Sequence, residues 1–390
     1  MNYLSYSEES LREKSAYWTA KEIEQQPESW RAAQQLLINN SENIWRFINP
    51  ILCKPDLRII LTGAGTSSFA GKSIGPVLQQ KLSVRVDSIA TTDLVSNPMQ
   101  YFQKNVPTLM ISFARSGNSP ESVAAIALAE KFVDDCYQLV LTCNEEGKLY
   151  RYCAETGNSL ALLMPPETND QSFAMTSSFS SMLLSAMSIF LGMDSFSKTV
   201  NLIAGSVGAL IDAENTSIQS IANKNFNRVV YLGSGGFKGL AQESSLKLLE
   251  LTAGHIVTVF DSPLGFRHGP KSIVNSDTLV VVYISNDKYI RKYDIDLLRE
   301  LRNDAEAGQV LAVAARGDSD VCNGDYLLVK GMEDSTDETL LFPYVVVAQM
   351  YAFHHALRLN NTPDTPSASG TVNRIVQGVT IHEYQAINGC

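Results

Sequence analysis

The feature that most limits how this chain can fold is one pattern written twice. Arg58-Ile59-Ile60-Leu61-Thr62 is a short apolar run ending in Gly63-Ala64-Gly65-Thr66-Ser67-Ser68, and 170 residues later Arg228-Val229-Val230-Tyr231-Leu232 ends in Gly233-Ser234-Gly235-Gly236. Each reads as a strand handing over to a helix through a glycine turn. The next strong strand follows each turn at matched spacing, at 108–113 and at 278–285. Further strands come at 138–142 and 309–314, weaker ones at 160–164 and 326–329, and a long helix closes each half near 174–191 and 338–359. Strands alternating with helices predict parallel sheets covered on both faces, hence an α/β fold built by internal duplication.

The rest of the chain frames this pair. Residues 1–50 read as a helical segment, with helix starts at Ser7-Glu8-Glu9-Ser10 and Thr19–Glu24 and a stripe through Leu36, Leu37, Asn40, Ile44 and Phe47. The duplicated units are expected at 51–200 and 215–360, joined by a mostly helical stretch at 201–225. The tail, 361–390, is rich in Pro, Thr, Ser and Asn and alone reads as a loop. An apolar share of 45% with 18% charged residues fits a packed core. The longest apolar runs, 160–164 and 278–284, are far too short for a membrane span, and the first residues lack the basic-then-apolar order of a secretory signal. No membrane partner and a cytoplasmic setting are therefore expected.

Charge and metal-ligand counts exclude further classes. Six cysteines without a CxxC pair, and five histidines without HxH or HxxxH spacing, give no metal site and point to reduced thiols. A net charge of −10 with no basic run argues against nucleic acid. It also dictates how a phosphate ester would be held: locally, by backbone N–H groups, hydroxyls and helix N-termini.

Two donor-rich turns meet that need. Gly65, Thr66 and Ser67 lie where the first strand gives way to a helix. Alone this could be a dinucleotide turn or an ordinary tight turn, but position 68 is Ser, so the full G-x-G-x-x-G is absent. Arg115-Ser116-Gly117-Asn118-Ser119-Pro120-Glu121 follows the next strand, with Ser119 placed as N-cap and Pro120 at the first helical position. An ordinary capped helix would look the same. Two such turns from neighbouring strands of one sheet favour a phosphate site, because such sheets bind ligands beyond their strand carboxyl ends.

The second unit carries acid–base groups. Glu243, Lys247 and Glu250 fall at i, i+4 and i+7 of the helix after Gly233, on one face, with Leu240, Leu248 and Leu251 on another. A solvated Glu–Lys face is the plain alternative. Farther on, His268 stands in the Gly/Pro-punctuated run Phe260-Asp261-Ser262-Pro263-Leu264-Gly265-Phe266-Arg267-His268-Gly269-Pro270, where an imidazole can exchange protons near neutral pH.

These residues carry a family resemblance. Gly65-Thr66-Ser67, then Ser116-Gly117-x-Ser119, resemble the phosphate loops of SIS (sugar isomerase) domains, including the isomerase half of glucosamine-6-phosphate synthase. Glu-x3-Lys-x2-Glu followed by His-Gly-Pro resembles that enzyme's active site. The resemblance implies two tandem SIS domains, each a flavodoxin-like three-layer sandwich. It implies Glu250 as the base moving a proton between C1 and C2, with Lys247 and Glu243 in support and His268 opening the sugar ring from a neighbouring subunit. An active site shared in a homodimer or larger assembly follows, with no cofactor. Departures from the synthase are Ala114 for the first loop serine, Gly265 for an acid, about two extra residues between Glu250 and His268, and no lysine in 373–379.

Longer stretches resemble AgaS-type galactosamine-6-phosphate deaminase/isomerases. They are Leu61–Ser67, Ser112–Val123, Phe173-Ala174-Met175-Thr176-Ser177-Ser178, Phe266–Pro270 and Asn361–Gly370. This implies conversion of galactosamine 6-phosphate to tagatose 6-phosphate plus ammonia, with a phosphorylated amino sugar or ketose phosphate as partner and the tail packed near the site. Thr176, Ser177 and Ser178, opening a helix after a strand, are expected to touch sugar or phosphate. A plain tagatose/galactose 6-phosphate ketose–aldose isomerase needs the same residues, and a sugar-phosphate-sensing regulator would need only the cradle.

Overall fold

The computed structural model describes residues 1–385 except Asn225, Ala368, Ile375 and Gln377. Those four positions, Cys390 and the end of the tail from 386 lie outside the described residues. The first repeat runs β1 (Arg58–Thr62), α1 (Thr66–Leu82), β2 (Arg85–Ser88), β3 (Thr108–Ala114), α2 (Pro120–Phe132), β4 (Cys136–Thr142), β5 (Ser159–Leu163) and α3 (Ser177–Leu191). A 30-residue helix, α4 (Met193–Ala222), leads to the second: β6 (Arg228–Leu232), α5 (Gly236–Leu251), β7 (Val257–Asp261), β8 (Thr278–Tyr283), α6 (Ile290–Asp304), β9 (Gln309–Ala314), β10 (Asp325–Leu328) and α7 (Asp337–Arg358).

Each repeat forms one five-stranded parallel sheet, in the orders β2-β1-β3-β4-β5 and β7-β6-β8-β9-β10. The sequence marks both central strands. β1, β3 and β8 are wholly buried and mostly apolar, with Arg58, Thr62, Thr108, Ser112 and Thr278 the polar exceptions, as strands covered on both faces must be. β2 and β7, in contrast, are edge strands of mixed polar and apolar residues, mostly part-exposed. Ser112 pairs with Thr62, and Val282 with Leu232, so the strand carboxyl ends stand level in both sheets.

Alternation along the strands builds one core for the whole chain. Ile59, Leu61, Leu109 and Ile111 of the first sheet, and Val229, Tyr231, Leu279 and Val281 of the second, all belong to a single central cluster. Between them lie α3, α4, α5 and α7, with Trp30 and Ile44 from the first 52 residues. Ile60 and Met110, and Val230 and Val280, point to separate outer layers. The two units are therefore halves of one body, and α4 runs straight through the interval between them. The N-terminal helices are part of that body: Trp30 Nε1 donates to Ser180 Oγ on α3 at 2.9 Å, and Gln26 Nε2 to Gln349 Oε1 on α7 at 2.7 Å. The N-terminal stripe is interrupted at Asn40, between helices Gln26–Asn39 and Ser41–Leu52. One described helix, α7, is long and apolar enough to cross a membrane, and its apolar window is 94% buried inside the protein.

The glycine turns explain how the halves meet. Gly65 (φ 55°, ψ −127°) and Gly235 (φ 57°, ψ −126°) hold the same backbone conformation, one that side chains disfavour. A Cβ on Gly239 would lie 2.6 Å from the Lys72 and Ser73 backbone, so α5 crosses α1 at main-chain contact. That crossing brings the acid–base helix of the second half over the turns of the first.

Candidate active site

The first cradle lies beyond the carboxyl ends of β1 and β3, neighbours at the point where strand order reverses. Gly65 gives α1 its left-handed entry, and Thr66 and Ser67 follow as its first, nearly buried residues. The Ser67 hydroxyl lies 3.7 Å from Met175 Sδ. In the second turn Ser116 Oγ accepts from Asn118 N at 3.3 Å, Gly117 takes φ +61°, and Asn118 Oδ1 accepts from Lys148 N at 3.0 Å. Ser119 is the N-cap, its hydroxyl accepting from Ser122 N at 3.3 Å. Thus the Asn118 side-chain carbonyl and the Ser116 and Ser119 hydroxyls shape the loop after β3, which stands beside the Gly65–Ser67 turn after β1.

Arg115 is buried rather than turned to solvent. Its Nη2 donates to the Arg374 carbonyl at 3.0 Å and its Nη1 to the Phe173 carbonyl at 3.5 Å, which brings the tail across the cradle. The tail is tied again at Asp364, whose carboxylate caps the helix Tyr17–Glu24 through Trp18 N, Thr19 N and the Thr19 hydroxyl. Two N–H groups of a five-donor fork are thereby committed, and the remainder of the positive charge stays beside the cradle.

Thr176, Ser177 and Ser178 are engaged elsewhere. All three are fully buried, and their donors end on Asp170: Thr176 N at 2.8 Å, Ser178 N at 2.9 Å, and the Ser177 and Ser178 hydroxyls. A carboxylate from the chain itself occupies the N-terminus of α3, where the sequence suggested a ligand. Beside it sits Glu22, which no sequence pattern singled out. Burial raises its carboxyl to about 8, Asp170 adding to the rise, and it accepts from the backbone N–H groups of Gln171 and Ser172. The pair fixes the 169–173 segment, whose Phe173 carbonyl holds Arg115.

The acid–base residues are not a solvated face. Glu243 is fully buried on α5 and Lys247 is 1% exposed, while the Glu250 side chain keeps 24% of its surface. Lys247 Nζ lies 2.6 Å from Glu250 Oε2 and 3.5 Å from Glu243 Oε1. Burial raises the Glu243 carboxyl to about 8; Lys247 opposes this, Glu250 reinforces it, and the Thr66 hydroxyl of the first cradle opposes it. Thr66 is close enough to act on Glu243, though neither Glu243 oxygen has a hydrogen bond of good geometry among the described residues. Burial works to lower Lys247, but the two glutamates outweigh it and keep the amine charged, even with Arg115 near enough to push the other way. The arrangement therefore sets a buried carboxyl held above its ordinary range, a buried lysine held above its own by its two glutamates, and the part-exposed Glu250 side chain near Thr66 of the first turn.

Among the described residues, no hydrogen bond or ion pair joins His268 to this group within one chain. His268 is exposed and follows the short helix Pro263–Phe266. Its loop is pinned to α6 by Arg267–Glu300 at 2.7 Å and Lys271–Asp304 at 2.5 Å. A Cβ on Gly265 would lie 2.7 Å from Asp261 Oδ1, so a larger residue there must displace the Asp261 side chain.

Comparison with known proteins gives consistent likenesses. The SIS domain model matches residues 51–192. The chain is 46% identical over 370 residues to the D-galactosamine-6-phosphate deaminase AgaS of Escherichia coli, covering 95% of this chain and 96% of that one. It is 44% identical over 384 residues to the same-named protein of Shewanella sp. (strain ANA-3), covering 98% and 96%. Among solved structures, tagatose-6-phosphate ketose/aldose isomerase from Escherichia coli superposes with a TM-score of 0.90 at 44% identity, over 95% of this chain and 97% of that one.

Proposed function

Because this chain belongs to the SIS-domain family of AgaS-type sugar-phosphate enzymes, we propose that it converts galactosamine 6-phosphate and water to tagatose 6-phosphate and ammonia. Near-full-length identity to deaminases of that name supports the substrate. The single observation that carries the reading is the burial of Glu243 and Lys247 of the second half beside Thr66 and Arg115 of the first.

The chemistry needs a proton moved between adjacent carbons. With the phosphate held by Gly65–Ser67 and Ser116–Gly117, beside Arg115, the open-chain sugar reaches toward the end of α5. Glu250 takes the proton from C2 and returns one to C1, which turns the C2 amine into an imine. Water adds to that imine, and ammonia leaves with the ketose. Glu250 suits this work as the member of the trio with exposed surface. Lys247, held charged, steadies negative charge developing on the C1 oxygen, and neutral Glu243 can donate without adding a second anion. Ring opening falls to His268, reaching from a neighbouring subunit of a homodimer; its exposed loop suits that role. The five described cysteines are free, which fits a cytoplasmic enzyme.

The structural likeness to a ketose/aldose isomerase favours one other reading, proton transfer without deamination. Incubation of purified protein with galactosamine 6-phosphate, with ammonia assayed, separates them. Stoichiometric ammonia and ketose phosphate are expected; ketose–aldose exchange of tagatose 6-phosphate without ammonia from the amino sugar would replace our reading with the other.

A further inference from the structure

The tail is tied down at two places besides the cradle. Asp364 caps the helix Tyr17–Glu24. Farther along, the Tyr384 ring meets Phe132 of α2 edge-on, with centroids 5.0 Å apart, and the Tyr384 carbonyl accepts from Lys131 Nζ at 3.1 Å. Arg374 lies between these anchors in sequence, and its carbonyl is the one that takes Arg115 Nη2 at 3.0 Å.

The Arg374 side chain makes an anchor of its own. Its Nη2 donates to the Asp170 carbonyl and, at 3.4 Å, to Asn169 Oδ1. Arg115 Nη1 donates to the Phe173 carbonyl of the same segment at 3.5 Å. The contacts close a ring: Arg115 to the Arg374 carbonyl, the Arg374 guanidinium to Asp170, and the chain from Asp170 through Phe173 back to Arg115. The Asp170–Phe173 side of the ring is fixed from beneath, because Glu22 accepts from Gln171 N and Ser172 N and the Asp170 carboxylate caps α3. The tail supplies the remaining side.

The ring gathers like charges. Burial lowers the Arg374 guanidinium from its ordinary value, Arg115 adds to the fall, and Glu22 and Asp170 oppose it. Arg115 in turn acts against the charge on Lys247. All four acceptors of the two guanidiniums are neutral carbonyl oxygens, so these contacts leave both positive charges uncancelled. Cations so placed repel one another, and a phosphate dianion among them turns that repulsion into attraction.

We propose that Arg374 is a positioning residue for the substrate's phosphate: anchored on Asp170 and Asn169, it holds its own carbonyl on Arg115 and so keeps the Arg115 guanidinium beside the cradle. This role rests on the reading of the first cradle as the phosphate site. Arg374 acts through Arg115 and need not touch the ester. Affinity for galactosamine 6-phosphate is measured calorimetrically in the full-length Glu250→Gln chain, alone and with Arg115→Ala, Arg374→Ala or both. Each single change is expected to weaken binding about tenfold, the worth of one hydrogen bond to a charged group. Both together are expected to weaken it about tenfold again in total, rather than about a hundredfold, because the two residues work as one unit. In the otherwise native chain, Arg374→Ala is expected to raise KM about tenfold and to lower kcat by less than about twofold, a split that a general loosening of the fold would not give. The positioning role is overturned if Arg115→Ala weakens binding while Arg374→Ala does not, if the two losses multiply, or if kcat falls as far as KM rises. Affinity untouched by Arg115→Ala removes Arg115 from the phosphate site, and the role of Arg374 with it. Should Arg374→Ala not fold, Arg374→Gln, shorter and uncharged, takes its place with the same expectations.

Discussion

Replacing Glu243 with Gln should remove a pH dependence from the stability of this protein. The carboxyl is fully buried, and burial raises it from 4.5 to about 8, with Lys247 opposing and Glu250 reinforcing the rise. Between those values the folded chain keeps a proton that the unfolded chain releases. The stabilisation is therefore complete below about pH 4.5 and is lost as pH rises, until it levels off above about pH 8. Each pH unit in that window corresponds to about 1.4 kcal/mol, and the whole window to roughly 3–5 kcal/mol. Gln is isosteric with the protonated acid and does not ionise. Variant and native protein should thus match near pH 4.5, and the variant should gain steadily up to pH 8. Glu22, raised to about 8, and Asp294, raised to about 6, contribute with the same sign in both proteins and cancel in the difference. The measurement is the urea midpoint of the full-length chain from pH 5 to 9, with the slope compared between proteins. A difference that does not change with pH, or a variant less stable than native at pH 9, would mean Glu243 is an anion paired with Lys247 at neutral pH and would refute the reasoning.

Gly239→Ala puts a Cβ 2.6 Å from the Lys72 and Ser73 backbone, so α1 and α5 must part. A loss of about 1–3 kcal/mol is expected in thermal unfolding, with kcat falling more than KM rises, whereas Gly205→Ala at an exposed position of α4, with nothing within 4 Å, should gain about 1 kcal/mol. Asp170→Asn removes the charge that caps α3 and should cost about 2–4 kcal/mol. Ser178→Ala should leave KM for the sugar phosphate within about twofold, since its hydroxyl serves Asp170; a tenfold rise would return Ser178 to the substrate site.

What the sequence made legible was whatever depends on local pattern. The mostly apolar runs of β1, β3 and β8, the paired glycine turns and the Ser119 cap each declare themselves within a few residues. The edge strands β2 and β7 did not, because short, part-exposed strands at a sheet margin mix polar and apolar residues and lack a sustained apolar run. Nor did the fate of Thr176, Ser177 and Ser178: three donors opening a helix look alike whether they meet a ligand or a carboxylate six residues upstream. The i, i+4, i+7 spacing placed Glu243, Lys247 and Glu250 on one face, yet spacing alone could not tell a solvated face from a buried one. That distinction comes from the main-chain contact of α5 with α1 at Gly239, which is long-range. Glu22 and Arg374 were invisible for the same reason, since their partners lie about 150 and 200 residues away in sequence.

The central claim is that one sugar phosphate spans the two halves, its ester on the first cradle and its C1–C2 end at α5. A crystal structure of Glu250→Gln protein soaked with galactosamine 6-phosphate tests this most directly. The account predicts phosphate oxygens within hydrogen-bond distance of the Thr66, Ser67 and Ser116 hydroxyls, and C2 in contact with the side chain at position 250. Phosphate bound beyond the second sheet, among Ser234, Asn286 and Thr336, or a sugar directed away from α5, would contradict it.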